Sequence, residues 1–223
     1  MPIDWRTPLD LYCERTDPGV WSEPINALSN LAYLAAGYLI LARLGGTRLG
    51  LARFLGVLAM LVGVGSATFH TTAQRWSWVL DIAFIAVFVV VFFGAYLRLR
   101  VGIGIGATLI AMAAYLLASA GLANVLGRVF DPALSNGTEI YAGPLLGLVA
   151  IAWHSRRNAD RAAPEYLIAL TTFAVALVLR TLDQRLCASL PIGTHFAWHL
   201  LTATLLWLLA RGLLAYHPLP RRQ

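Results

Sequence analysis

Apolar stretches of about twenty residues recur from one end of this chain to the other, and they constrain its fold more than any other feature. The run "DIAFIAVFVVVFFGAYL", from Asp81 to Leu97, shows the pattern: one acid, then sixteen residues without a charge. Such segments match the hydrocarbon core of a bilayer. Of 223 residues, 59% are hydrophobic and only 13% charged, too few charges to cover a water-soluble domain of this size. Seven spans can be drawn, at 26–44, 53–71, 78–97, 102–123, 138–154, 164–182 and 194–215, with short loops between them. The sequence predicts one all-α integral-membrane domain over 1–223, with seven transmembrane helices and a polar segment, 1–25, ahead of the first. That segment lacks the basic-then-apolar pattern of a cleavable signal peptide.

Charge sets the orientation. All 17 basic residues are arginine. Eleven lie in the loops after the first, third and fifth spans, at the end of the last span or in the C-terminal tail, among them Arg43, Arg98, Arg157, Arg211, Arg221 and Arg222. Six lie on the other side: Arg6, Arg15, Arg75, Arg128, Arg180 and Arg185. Nine of the eleven acids sit on the N-terminal side, and only Asp160 and Glu165 lie opposite. The positive-inside rule then puts the N-terminus outside and the C-terminus in the cytoplasm. The net charge of +6 is a topology signal and gives no ground for a nucleic-acid partner. Short loops and an all-arginine basic complement suit a bacterial plasma membrane, with the bilayer and its lipids as the expected partners.

Ionisable groups within spans are costly and usually functional. Here they gather at one depth. His70 ends the second span in "GSATFHTT", with Ser66 one turn deeper; Asp81 begins the apolar run of the third. His195 and His199, in "GTHFAWHLL", lie near the outer end of the last span, about 6 Å apart along a helix axis. Two histidines at i and i+4 offer two nitrogens to one metal. Three histidines with one coordination position open are a donor set of catalytic zinc, which activates water near neutral pH. Asp81 is then the candidate proton carrier and Ser66 the candidate donor to a developing oxyanion. Two other readings fit the spacing: a haem held between spans, which leaves the third histidine and Asp81 unused, and plain inter-helix hydrogen bonding. His154 and His217, at the opposite helix ends, suit the last of these.

Asp4, Asp10, Glu14, Asp17 and Glu23 crowd the N-terminal segment. They read either as a solvated acidic tail or as oxygen ligands for calcium. Cys13 and Cys187 both fall outside by this threading, where they could form a disulfide or remain two thiols. Weaker signals are "NGT" at Asn136, a glycosylation sequon or simply a turn, and "GIGIG" from Gly102 to Gly106, small residues that suit close helix packing. Trp76, Trp78 and Trp198 read as interfacial anchors.

Taken together, "YCE", "EPINALSN" at Glu23 to Asn30, "SATFH" at Ser66 to His70, Asp81, "DQRLC" at Asp183 to Cys187 and "GTHFAWH" at Gly193 to His199 resemble the alkaline ceramidase family. That family belongs to a wider group of seven-span proteins with the adiponectin and progestin receptors and hemolysin-III-like proteins. The resemblance implies zinc on His70, His195 and His199, with Asp81 handling the proton of the attacking water and Ser66 the oxyanion. It implies a Cys13–Cys187 disulfide. It also implies calcium on the N-terminal segment through Glu14 and Glu23, with Asp10, Asp17 or the Tyr12 carbonyl completing the set. Leu11 stands where the animal enzymes carry an aspartate. The expected activity is hydrolysis of the N-acyl bond of ceramide or a related lipid amide. The alternatives are a hydrolase of other lipids or a zinc-containing receptor-like protein.

Overall fold

The computed structural model describes residues 3–44, 48–131 and 135–215. His217, Arg221 and Arg222 lie outside the described residues. Helix α1 (Pro24–Ser29) leads through Asn30 into α2 (Leu31–Arg43); α3 spans Leu49–Thr72, and α4 spans Arg75–Tyr96 with a single π-turn, Leu97–Val101, at its end. Then follow α5 (Ile105–Val129), α6 (Ala142–Arg157) behind a 3₁₀ turn at Thr138–Tyr141, α7 (Ala163–Leu186) and α8 (His195–Leu214). There is no β-strand among the described residues.

With α1 and α2 taken as one, six of these helices are long and apolar enough to cross a membrane, one fewer than expected. The difference lies at 138–154. Its first residues form the 3₁₀ turn, and α6 has 16 residues, the last of them Arg156 and Arg157. At about 1.5 Å per residue that helix is ~24 Å long, short of the roughly 30 Å hydrocarbon core. It nevertheless packs between α5 and α7.

Around the bundle, α4, α3 and α2 lie side by side, α2 packs against α8, α8 against α7, and α6 and α5 complete the ring. The most enclosed helix is α8, with buried residues spread from His195 to Leu213, whereas α5 buries only Thr108 and Met112. Glycines allow the closest approach: a Cβ on Gly56 of α3 would lie 3.0 Å from the Gly37 carbonyl oxygen of α2. In a bilayer, where burial of apolar surface gives helices little drive to associate, such backbone proximity supplies the van der Waals contact.

The two ends of the bundle differ. At one, Arg100 donates to the carbonyls of Gly212 and Leu213 and pairs with Asp160 at 3.3 Å, and Arg211 pairs with Glu165 at 3.6 Å. At the other, the N-terminal segment lies across the α3–α4 turn, with Leu9 N–H donating to Ala73 O at 2.8 Å and Arg75 N–H to Thr7 O at 3.1 Å. A disulfide between Cys13 and Cys187 pins that segment to the end of α7, closing a sequence separation of 174.

Two minor expectations change. Gly102, Gly104 and Gly106 meet nothing within 4 Å of where a Cβ would stand, so "GIGIG" does not serve close packing. Its first three residues form the α4–α5 connection, with Gly102 at φ +81°, and its last two begin α5. Trp198 is no interfacial anchor: it is buried on α8, 4.8 Å from the Tyr141 ring. Trp76 remains exposed, as an anchor would be.

Candidate metal centre

His195 owes its position to the turn before α8. Asp183 of α7 is fully buried; its Oδ1 accepts from the backbone N–H groups of Thr194 (2.5 Å) and His195 (2.8 Å), and its Oδ2 from that of Cys13 (3.0 Å). A carboxylate there satisfies amides that a helix start leaves open. Gly193, at φ +63°, makes room for it, since a Cβ would fall 2.9 Å from the Asp183 Cγ. One helical turn on, His199 projects from the same face. Near the end of α3, His70 meets both.

The three imidazoles are buried, and one nitrogen from each lies within 4.8 Å of the others. Their neighbours fix the tautomers. Ser29 gives its only proton to Asn26 O at 2.8 Å, so its oxygen accepts from His199 Nδ1–H at 2.7 Å. Glu23 Oε2 accepts from His70 Nδ1–H at 2.6 Å. The two Nε2 atoms face each other at 3.1 Å. With no proton on either, both lone pairs would converge on a point that suits a cation. His195 Nδ1 is buried without a hydrogen-bond partner. The donor set thus fits a metal ion, and a carboxylate or hydroxyl behind a ligating imidazole is the usual outer-shell support.

Haem does not fit. The imidazole ring centroids lie 4.6 to 5.1 Å apart, leaving no slot for a macrocycle between any two.

Asp81 and Ser66 are brought to the same centre. Ser66 is buried with its Oγ 3.4 Å from His199 Nε2. The Asp81 carboxyl interacts with the Ser66 hydroxyl and with the charges of His70 and Arg180. Below them a narrow apolar cavity runs into the bundle, lined by Tyr33 and Val62 near the histidines and by Phe92 and Leu209 further in.

The acidic set expected to bind calcium is not assembled. Glu14 spends both oxygens on the start of α1, accepting from Ile25 N–H at 2.6 Å and Asn26 N–H at 2.8 Å. Asp10 and Asp17 are exposed, and Asp17 caps the Gly19 N–H. Tyr12 O accepts from Arg15 N–H. Among the remaining oxygens lies a cation the chain supplies itself: the buried Arg15 guanidinium donates to Glu23 Oε1 at 2.5 Å and to the carbonyls of Asp17, Gly19 and His70. Burial alone would raise the Glu23 carboxyl, but the hydrogen bonds and charges of His70 and Arg15 outweigh it and hold the group below its ordinary value.

Four residues support the centre in roles the sequence reading did not give them, although Tyr12 and Ser29 fall within its quoted motifs. Ser29, Arg15 and Tyr12 act through partners far away in the chain; Tyr12 stacks on His195 with centroids 3.5 Å apart. Burial pushes the Tyr12 phenol well above its usual range, only partly offset by Arg180, so it stays neutral. The fourth, Arg180, carried a signal that went unused: a charge inside an apolar span. Elsewhere, Asn136 Nδ2 donates to Arg180 O at 3.0 Å in a left-handed turn, which favours the turn reading of "NGT". His154 bonds the Tyr96 hydroxyl at 2.9 Å, the inter-helix role expected of it.

Compared with models of known protein families, with curated proteins and with solved structures, the chain finds no match.

Proposed function

We propose that the protein is a zinc-dependent membrane amidohydrolase of alkaline ceramidase type, cleaving the N-acyl bond of ceramide or a related lipid amide. The observation that carries this reading is the juxtaposition of three convergent histidines, a carboxyl and a hydroxyl, with an apolar cavity lined by their chain neighbours Trp198 and Thr202. His70, His195 and His199 would hold the ion. Bound there, zinc supplies Lewis-acid polarisation of an acyl carbonyl and acidifies water.

The chain's own groups account for the remaining work. The apolar cavity takes the acyl chain, which sets the carbonyl carbon beside the histidines. Asp81 accepts a proton from the attacking water as its oxygen bonds to that carbon. The Ser66 hydroxyl donates to the carbonyl oxygen as negative charge grows on it. Asp81 then delivers the proton to the amide nitrogen as the C–N bond breaks. Water is consumed, and a fatty acid and a long-chain amine leave. The arginine-rich end of the bundle faces the cytoplasm by the positive-inside rule, so the metal centre lies at the outer leaflet, where a lipid amide sits with its chains in the bilayer.

Two variants test the reading. His199→Ala is expected to lose bound zinc and fatty-acid release together. Asp81→Asn is expected to keep zinc and lose at least ~100-fold in kcat, the scale of general acid–base catalysis. Metal-replete wild type without turnover on any lipid amide or ester would point to a receptor-like protein instead.

A further inference from the structure

Arg180 of α7 is buried in the protein, and Asp81, the carboxylate whose charge reaches it, makes no ion pair with it. Its guanidinium carbon sits 5.5 Å from the ring centroids of Tyr12, Tyr141 and Trp198, in a three-sided aromatic cage. Nη1 donates to the Tyr12 hydroxyl at 2.6 Å. Nε is buried with no acceptor. Among the described residues no carboxylate forms an ion pair with it. Asp183, three residues on and the natural candidate, is committed to the amides of Cys13, Thr194 and His195. A charged group only 6% exposed and without a direct ion pair is costly to bury. Cation–π contact with three rings offsets part of that cost, and rings cannot accept the in-plane N–H donors.

The position of this charge says what it awaits. Arg180 lines an open cleft at the metal end of the bundle together with Arg75, Asn136 and Gln184. Two acids share the cleft: Asp10 is exposed at its rim, and the Glu139 side chain reaches towards Gly127 on α5. On the other side, two walls of the arginine cage, Tyr141 and Trp198, also line the apolar cavity. Tyr12, which Arg180 bonds, stacks on His195. The guanidinium therefore lies between the outer cleft and the acyl cavity, one aromatic ring from the metal centre.

We propose that Arg180 binds an anionic oxygen group, carboxylate or phosphate, on the amine side of the substrate lipid, so that this protein prefers acidic N-acyl lipids to neutral ceramide. The inference rests on the hydrolase reading for its catalytic meaning, and on the cage alone for its binding meaning. A guanidinium matches either oxyanion with paired N–H donors, and the excluded water makes that pairing strong.

Three probes with one acyl chain test it on purified full-length protein: N-lauroylglycine, N-lauroyl-O-phosphoethanolamine and the neutral N-lauroylethanolamine. Binding is followed by tryptophan fluorescence, and hydrolysis by laurate release. Wild type is expected to bind at least one charged probe 10-fold or more tightly than the neutral one, and the better of the two names the oxyanion. Arg180→Gln should abolish that gap while still binding the neutral probe, and Arg180→Lys should retain part of it. Equal binding of all three by wild type overturns the proposal, as does a gap that persists in Arg180→Gln. Equal losses for charged and neutral probes in Arg180→Gln would make the arginine a pillar for Tyr12 and overturn it too. Charge-selective binding without laurate release keeps this proposal and sinks the hydrolase reading. Laurate release without charge selectivity does the reverse.

Discussion

At the residue scale, the metal centre is organised by protons already committed. Ser29 and Glu23 each accept from an Nδ1–H, which turns the two Nε2 atoms towards one another. Glu23→Gln keeps an acceptor for His70 but removes the charge that Arg15 and His70 share, so metal affinity is expected to fall by ~10–100-fold. Competition with a zinc-selective fluorescent chelator measures it, and unchanged affinity would separate Glu23 from the centre. Arg15 leads to a second expectation. Its guanidinium fills the space among Glu23 and the carbonyls of Asp17, Gly19 and His70, so a calcium-selective chelator should leave lipid-amide hydrolysis unchanged. A loss restored by added calcium would contradict that assignment.

These examples also show what a sequence discloses. The three histidines, Asp81 and Ser66 were legible because in a bilayer a polar side chain stands out against its apolar neighbours. Arg15 was not, because nothing local distinguishes a buried arginine from a solvated one in an acidic segment. Arg180 entered the sequence reading only as one of six outer-side arginines, although it falls inside the span drawn at 164–182.

At the element scale, the start of α8 decides where His195 and His199 point, and it depends on a turn rather than on helix propensity. Asp183 reaches from α7 to the first amides of α8 only because Gly193 adopts a left-handed conformation and has no side chain. Gly193→Ala introduces a Cβ against the Asp183 carboxyl and holds alanine at positive φ. The expected cost is ~1–3 kcal/mol, with displacement of the His195 ring. Thermal unfolding in detergent should show the lower midpoint, and metal content per protein should fall with it. A variant with wild-type midpoint and full metal content would show that the turn does not hold the ligand. The helices themselves were legible to within a few residues, since apolar length fixes them. Their neighbours were not: helices apolar on every face carry little amphipathic signal, so the closure of α2 onto α8 left no trace in the sequence. The same uniformity made 138–154 read as a span, although its helix begins only at Ala142.

At the scale of the whole molecule, the two ends carry opposite signatures. The N-terminal segment meets the start of α8 through Asp183, whereas the end of α8 meets Arg100, so the two lie at opposite ends of the bundle even with six long spans. Arg98, Arg100, Arg156, Arg157, Arg161 and Arg211 then share one end, and the disulfide and the histidines share the other. Two chemical rules would put the arginine end in the cytoplasm. Arginine is retained on the cytoplasmic side, and a disulfide persists where the compartment is oxidising. Cys13 and Cys187 are the chain's only cysteines, so they report orientation without background. After treatment of intact cells with a membrane-impermeant reductant, an impermeant maleimide is expected to add two labels per chain, and none without the reductant. Inverted vesicles treated alike should remain unlabelled. Labelling confined to inverted vesicles would place the metal centre on the cytoplasmic face, and the lipid amide would then have to be presented from the inner leaflet.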